Sequence, residues 1–341
     1  MEMTQFLPVM VAGFAAAVGF TPITRRIAFR FGMLDQPSSR KVHQAPTPLL
    51  GGLAIYGALV LALMFFSPPF YLVEFGAILA GATWLALVGL VDDRNGMKPW
   101  VKMGGQIIAA IVLIAAGIHV RIFHSTLLNL SVTVLWIVGI TNAMNFQDNM
   151  DGLAAGITAI ASVFFLVMAV EQQLSLVSSL AAALIGASVG FLIYNFNPAS
   201  TFMGDMGSMV LGFLLSVLAI KLDFKVHPDR QIVTWMVPVF VLGLPIFDTT
   251  LVVVTRVFEG RSPMQGGKDH TSHRLVSLGI SPRVAVLILY GVCVALGFMA
   301  VKLAHARIIE GLYIGFRVFV IALGAFAYLQ YLYIRNRPLR S

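Results

Sequence analysis

The sequence predicts an all-α polytopic integral membrane protein of about 11 transmembrane helices, with its chemically capable loops on the cytoplasmic side. Three observations carry this. Of 341 residues, 58% are hydrophobic and only 11% charged, against about 25% charged in an average soluble domain. Apolar runs of about 20 residues, the length that crosses a bilayer, recur along the whole chain. Basic residues concentrate in alternate connections, as they do in cytoplasmic loops. No stretch is polar enough to form a separate soluble domain, so residues 1–341 read as one integral membrane domain.

The spans read, in order, as 5–24, 49–67, 73–91, 104–120, 126–142, 152–170, 176–194, 208–222, 232–256, 284–304 and 311–333. The fifth and eighth are short or interrupted, and the count falls to 10 if one of them does not cross. The first apolar segment has no basic stretch before it and no clear cleavage site, so it is expected to remain as a helix rather than act as a signal peptide. One set of alternate connections holds 15 basic residues, from Arg25 and Arg26 through Lys102 to Arg340. The opposite set holds only Arg121, Lys225, Arg230 and Arg307. The N-terminus is therefore expected outside, with the C-terminus and the richer loops in the cytoplasm. This asymmetry also accounts for the net charge of +8, which suits anionic lipid and gives no reason to expect a nucleic-acid partner. The single cysteine, Cys293, permits no internal disulfide, and no Cys-His zinc pattern is present.

Five inside connections carry the polar side chains. "LDQPSSRKVHQAPTPLLGG" places Arg40, Lys41 and His43 before a Gly51-Gly52 helix start. That combination suits either an anion site or a simple positive-inside anchor. "VDDRNGMKPW" ends an apolar run with Asp92 and Asp93. Adjacent residues on a helix point about 100° apart, so the two do not form a mutual acid pair. Acid at a helix C-terminus also opposes the helix dipole, which disfavours a stabilising role. "TNAMNFQDNMDGLAAG" sets Asn142, Asn145, Asp148 and Asp151 at intervals of three residues. Oxygens so spaced suit a hard cation or the polar edges of a nucleotide, although Asp151-Gly152 alone reads as a turn. "YNFNPASTFMGDMGSMVLG" holds Asn195, Phe202 and Asp205, the last in a Gly-Asp-x-Gly-Ser turn just before a helix. That suits a metal–phosphate clamp, with helix capping as the plain alternative. "GGKDHTSHRL" gathers Lys268, His270, His273 and Arg274, types suited to a pyrophosphate and its leaving group. Asp248, inside the ninth span, reads as a partner or ligand of that cluster.

These motifs, in this order over residues 20–300, resemble the polyprenyl-phosphate N-acetylhexosamine-1-phosphate transferase family. That family contains phospho-MurNAc-pentapeptide translocases and GlcNAc-1-phosphate transferases of the WecA/TagO type. The resemblance implies that Asp92 and Asp93 activate or orient the lipid phosphate. It implies that Asp205 holds magnesium, or manganese in its place, with Asn145 as a second ligand. Asp148, Asp151, Asn195 and Phe202 then line the nucleotide pocket. His270, His273 and Arg274 lie at the pyrophosphate and sugar end and count with the aspartate pair as catalytic. Lys41, Lys102, Asn142, Asp248 and Lys268 complete the expected substrate-binding set. The chain lacks the three consecutive histidines of the translocases, and Ser272 replaces the third position of the His-x-His-His run of the other branch. The WecA/TagO side fits better.

The implied reaction transfers GlcNAc-1-phosphate from a UDP-N-acetylhexosamine to undecaprenyl or another polyprenyl phosphate, in the plasma (inner) membrane, releasing UMP. Its product is the lipid-diphosphate sugar that starts cell-envelope polysaccharide synthesis. A homodimer is compatible with this reading. The alternatives are the same chemistry on MurNAc-pentapeptide or a modified hexosamine, and an ion-coupled transporter. A transporter would spread acids through mid-span and show an internal repeat, and this sequence shows neither.

Overall fold

The computed structural model describes residues 1–36, 46–66, 72–222 and 231–335, the side chains of 231 and 232 aside. Lys41, with Arg40 and His43, lies outside the described residues. The regular structure of the described residues is helical apart from one two-residue ladder, β1 (Leu34–Asp35) antiparallel to β2 (Thr47–Pro48). The helices are α1 (Leu7–Phe31), α2 (Gly51–Phe66), α3 (Leu72–Asn95), α4 (Pro99–Ala115), α5 (Thr126–Gln147), α6 (Leu153–Glu171) and α7 (Ser175–Asn195). They continue with α8 (Gly204–Lys221), α9 (Gln231–Thr234), α10 (Met236–Val241), α11 (Gly243–Phe258), α12 (Thr271–Ser277), α13 (Pro282–His305) and α14 (Ile308–Arg335).

Among the described residues, eight helices are long and apolar enough to cross a membrane: α1, α3, α5, α6, α7, α8, α13 and α14. α2 and α4 are shorter apolar helices. The chain is thus a multi-pass, all-α membrane protein. The expected ninth span is not one helix but three pieces, α9 to α11. The reason is local. Pro238 and Pro245 lack an N–H, and each ring clashes with the carbonyl four residues earlier. Those carbonyls belong to Thr234 and Val241, the last residues of α9 and α10. The fifth and eighth spans, short in the sequence reading, are full helices of 22 and 18 residues. Each was underestimated at its polar end, because α5 runs on through Asn142 and Asn145 and α8 begins at Gly204.

The helices fall into two compact units, Met1–Asp223 and Phe224–Ser341. In the first, α7 and α8 are the most buried, with 83% of their apolar windows covered. α7 packs against α1 and α6, while α8 packs against α3 and α5. The α1–α7 contact depends on small residues. A Cβ at Gly186 would lie 2.1 Å from the Met10 carbonyl oxygen, and one at Gly190 would lie 2.6 Å from that of Phe14. Small residues four apart let helix backbones approach closely where lipid supplies no hydrophobic drive. Gly186→Ala should therefore destabilise the protein by about 1–3 kcal/mol, read as a lower melting temperature in detergent. An unchanged melting temperature would contradict this packing. In the second unit, α10 and α12 pack against α13, and α11 and α12 contact α14.

Candidate active site

In the first unit one end of the bundle gathers acids around a single ammonium. α3 ends with Asp92 and Asp93, and α4 starts only a few residues later, bringing Lys102 back alongside. Lys102 Nζ lies 2.9 Å from Asp92 Oδ2, 2.7 Å from Asp205 Oδ2 and 3.2 Å from Asn145 Oδ1. Asn145 Nδ2 donates to Asp205 Oδ1 at 2.5 Å and to Ser208 Oγ at 2.8 Å. Asn145 thereby fixes the Asp205 carboxylate while its own carbonyl oxygen faces the lysine. Oxygens from α3, α5 and α8 thus converge on one cation.

Asp93 does a different job. Its Oδ1 accepts the Asp205 amide at 2.7 Å and its Oδ2 accepts the Met206 amide at 3.1 Å. These are orphan N–H groups at the start of α8, so Asp93 caps α8 from another helix. Gly204 makes room for it. Its φ is +66°, and a Cβ there would sit 2.5 Å from Asp93 Oδ2. Asp92 is free to face the cluster and is aimed by the Met97 amide, which donates to its Oδ1 at 2.6 Å.

The loops after α5 and α7 form a second layer. Asp151 Oδ2 accepts from Asn197 Nδ2 at 3.0 Å and from the Ala199 amide at 2.9 Å. Asn195 is buried, with Oδ1 accepting the Gly152 amide at 3.1 Å and Nδ2 donating to the Thr201 carbonyl at 2.9 Å. Phe202 is tied through its backbone, its amide donating to Pro48 and its carbonyl accepting from Gly51. The Gly52 amide donates to Met203 in the same way. The Gly51 and Gly52 amides are therefore committed to protein carbonyls. Asn142 turns away from the cluster and exchanges amide hydrogen bonds with Gln106 of α4, at 2.6 and 3.2 Å.

Asp148 lies between these layers. Burial and the surrounding carboxylates of Asp205, Asp93, Asp151 and Asp35 hold its carboxyl well above the usual carboxylate range. The folded protein therefore keeps a proton that the unfolded chain gives up near the ordinary value of 3.8. Stability from this residue is greatest in acid and falls as pH rises past that value through the raised one. Asp148→Asn should accordingly narrow the drop in melting temperature between about pH 5 and about pH 8. An unaltered drop would show that Asp148 is not so crowded.

In the second unit Asp248 and His270 form a buried pair, Oδ2 to Nδ1 at 2.8 Å, and Asp248 Oδ1 accepts the Thr271 amide at 2.6 Å. His273 is adjacent, its ring edge-on to His270 with centroids 6.0 Å apart. Burial, with His270 and Lys268 nearby, pushes the His273 imidazole down to about 4, so it is neutral at physiological pH. Arg274 is 3% exposed. It donates to the carbonyls of Asp269 and Leu329 and to the side chains of Thr255 and Gln330, and it stacks 4.5 Å from the Tyr333 ring. That geometry fastens the loop helix α12 to α14. Asp269, which the sequence reading did not single out, accepts from Arg256 at 2.7 Å and from Arg261 at 3.0 Å. Burial opposes its ionisation, but the two guanidinium groups outweigh burial and hold its carboxyl below the usual range.

Residues 75–223 match the family model described as glycosyl transferase family 4, the segment that carries the whole of the first cluster. Across a longer stretch the chain is 35% identical over 324 residues to a probable undecaprenyl-phosphate N-acetylglucosaminyl 1-phosphate transferase of Bacillus subtilis. The match covers 92% of this chain and 89% of that protein. This chain belongs to the polyprenyl-phosphate N-acetylhexosamine-1-phosphate transferase family. The transferase is also 36% identical to a decaprenyl-phosphate N-acetylglucosaminephosphotransferase of Mycolicibacterium smegmatis, over 78% of this chain and 74% of that one. It is 34% identical to a phospho-N-acetylmuramoyl-pentapeptide-transferase of Heliobacterium modesticaldum, over 63% and 73%. Membership makes it an enzyme, a phosphoglycosyl transferase.

In this transferase the structure brings Asp92, Lys102, Asn145 and Asp205 into direct contact, with Asp93 behind them and Asp148 beside them. Asp248, His270 and His273 form their own group in the second unit. Lys268 lies near His273. Gln106 and Ser208, which steady Asn142 and Asn145, were not singled out in the sequence. Gln106 carried a signal all the same, as a polar amide inside an apolar run.

Proposed function

We propose that this transferase moves N-acetylglucosamine-1-phosphate from UDP-GlcNAc to undecaprenyl or another polyprenyl phosphate, releasing UMP. The observation that carries the reading is the convergence of Asp92, Asp205 and Asn145 oxygens on one cationic position at a helix-end cluster. The relatives that act on N-acetylglucosamine match over more of this chain than the pentapeptide-transferase does, which supports the choice of sugar. The basic loops support a plasma-membrane orientation with the N-terminus outside and the cluster facing the cytoplasm.

Magnesium fits this donor set. It takes one or two carboxylates and completes its shell with water and substrate phosphate. Among the described residues, no three His, Cys, Asp or Glu side chains form a cage, and none is needed. Asp205 and Asn145 would hold the ion. The ion would supply charge neutralisation for a pyrophosphate that would otherwise enter a nest of carboxylates. Lys102 balances the same negative charge and presents an ammonium to an incoming phosphate. Asp92 positions the lipid phosphate and takes its remaining proton; at neutral pH that phosphate is already largely ionised, so positioning dominates. Asp93 keeps the α8 terminus in register. The lipid phosphate attacks the β-phosphorus directly, and the bond to UMP breaks as the new bond forms. Asp148, Asp151, Asn195 and Phe202 shape the nucleotide side. In the second unit Asp248 orients His270, and Arg274 secures the loop that carries both histidines.

The reading is tested by offering the purified enzyme a panel of UDP-sugars with polyprenyl phosphate and magnesium. UMP should appear with UDP-GlcNAc and not with UDP-MurNAc-pentapeptide. Release with the pentapeptide donor alone would move the enzyme to the other branch, and release with none would overturn the proposal.

A further inference from the structure

The second unit has another charged feature, at the opposite end of α13 from the α12 histidines. Where α13 turns into α14, a cleft of about 1030 Å³ is lined by Lys302, Arg307, Ile309, Glu310, Tyr313 and Arg317 among others. Its charge is unbalanced, with three cations facing one carboxylate. Among the described residues, the only ion pair in the cleft is Lys302 with Glu310, at 3.7 Å and on the surface. Among the described residues, the guanidinium groups of Arg307 and Arg317 have no hydrogen-bond or ion-pair partner. Glu310, Tyr313 and Arg317 follow one another at i, i+3 and i+7, so they line one face of α14.

That face is lipid-facing. α14 is the least covered of the apolar helices, with 11% of its window buried, and Ile309, Tyr313 and Phe316 are all largely exposed. At 28 residues α14 is about 42 Å long, while a hydrocarbon core is about 30 Å thick. With the excess shared between its ends, Arg317 starts about 7 Å inside the apolar layer. An unpaired guanidinium at that depth is costly, and it is relieved by reaching toward the interface and pairing there. The partner that fits is a phosphodiester. It offers a forked guanidinium two oxygens, and its acyl chains match the apolar side chains that form the rest of the lining.

We propose that this cleft binds an anionic phospholipid of the leaflet away from the catalytic loops. Its phosphodiester lies between Arg307 and Arg317, and its chains run past Ile314 into the apolar layer. Lys302 and the two arginines together select a lipid with net negative charge over a zwitterionic one, whose own ammonium cancels the attraction. Only the assignment to that leaflet rests on the transferase reading and its orientation.

The test uses the full-length protein in detergent, titrated with phosphatidylglycerol or phosphatidylcholine and read by native mass spectrometry. Wild type should bind phosphatidylglycerol at least about 10-fold more tightly than phosphatidylcholine. The Arg307→Gln/Arg317→Gln double variant should lose that preference, while Arg121→Gln, elsewhere in the chain, should keep it. Arg317→Gln alone, read the same way, carries the test if the double variant does not fold. Equal affinity for the two lipids in wild type, or an undiminished preference in the arginine variants, would overturn the proposal. No sugar nucleotide enters the measurement, so its failure would leave the transferase reading untouched.

Discussion

Asp205→Ala should lower turnover by about 10³-fold or more while the protein stays folded. Asp205 is the one carboxylate that touches both the Lys102 ammonium and the Asn145 amide. Removing it takes away a charge from the position where a pyrophosphate must be neutralised, and it also frees Asn145 to turn. The fold does not depend on it in the same way, because the start of α8 is capped by Asp93 and not by Asp205. UMP release gives the rate and a melting curve gives the fold. Full activity in the variant would remove Asp205 from the metal site. A collapse of the melting temperature would show that it is structural.

The two aspartates at the end of α3 should part company when each is changed. Asp92→Asn should cost about 10²-fold or more in turnover with little change in melting temperature, since Asp92 faces Lys102 and Asp205 and the one backbone amide its side chain is shown to accept from is that of Met97. Asp93→Ala should lower stability by about 1–3 kcal/mol, because two part-buried α8 amides lose their acceptor. It should lose activity as well, through the displacement of Asp205. The signature is therefore activity without stability for one and both for the other. Identical behaviour of the two variants would contradict the division of labour drawn from their contacts.

Much of this was legible in the sequence, and the exceptions have physical causes. Apolar length marked the spans, because lipid demands it of every crossing helix. The polar ends of α5 and α8 were missed, since hydropathy cannot distinguish a helix that continues into a polar site from one that has stopped. Adjacent aspartates at 100° could be read as having different partners. That one partner is the start of α8, more than a hundred residues later, could not, because such a contact is set by tertiary packing. The same holds for Arg274. Its neighbours in sequence suggested chemistry at a pyrophosphate; that its guanidinium also holds the Leu329 carbonyl and the Gln330 side chain of α14 could not be read there. The break in the ninth span was readable from Pro238 and Pro245, had each been projected back four residues.

The central claim is that a phosphosugar, and not a bare sugar, moves to the lipid at the Asp92–Lys102–Asp205 cluster. The most direct measurement uses UDP-GlcNAc labelled at the β-phosphorus, incubated with enzyme, polyprenyl phosphate and magnesium, followed by separation of lipid from water-soluble products. The account predicts that the label enters the lipid fraction in step with UMP release, and that Asp205→Ala abolishes both. Label retained in the soluble nucleotide while sugar reaches the lipid would contradict it, as would undiminished transfer by the variant.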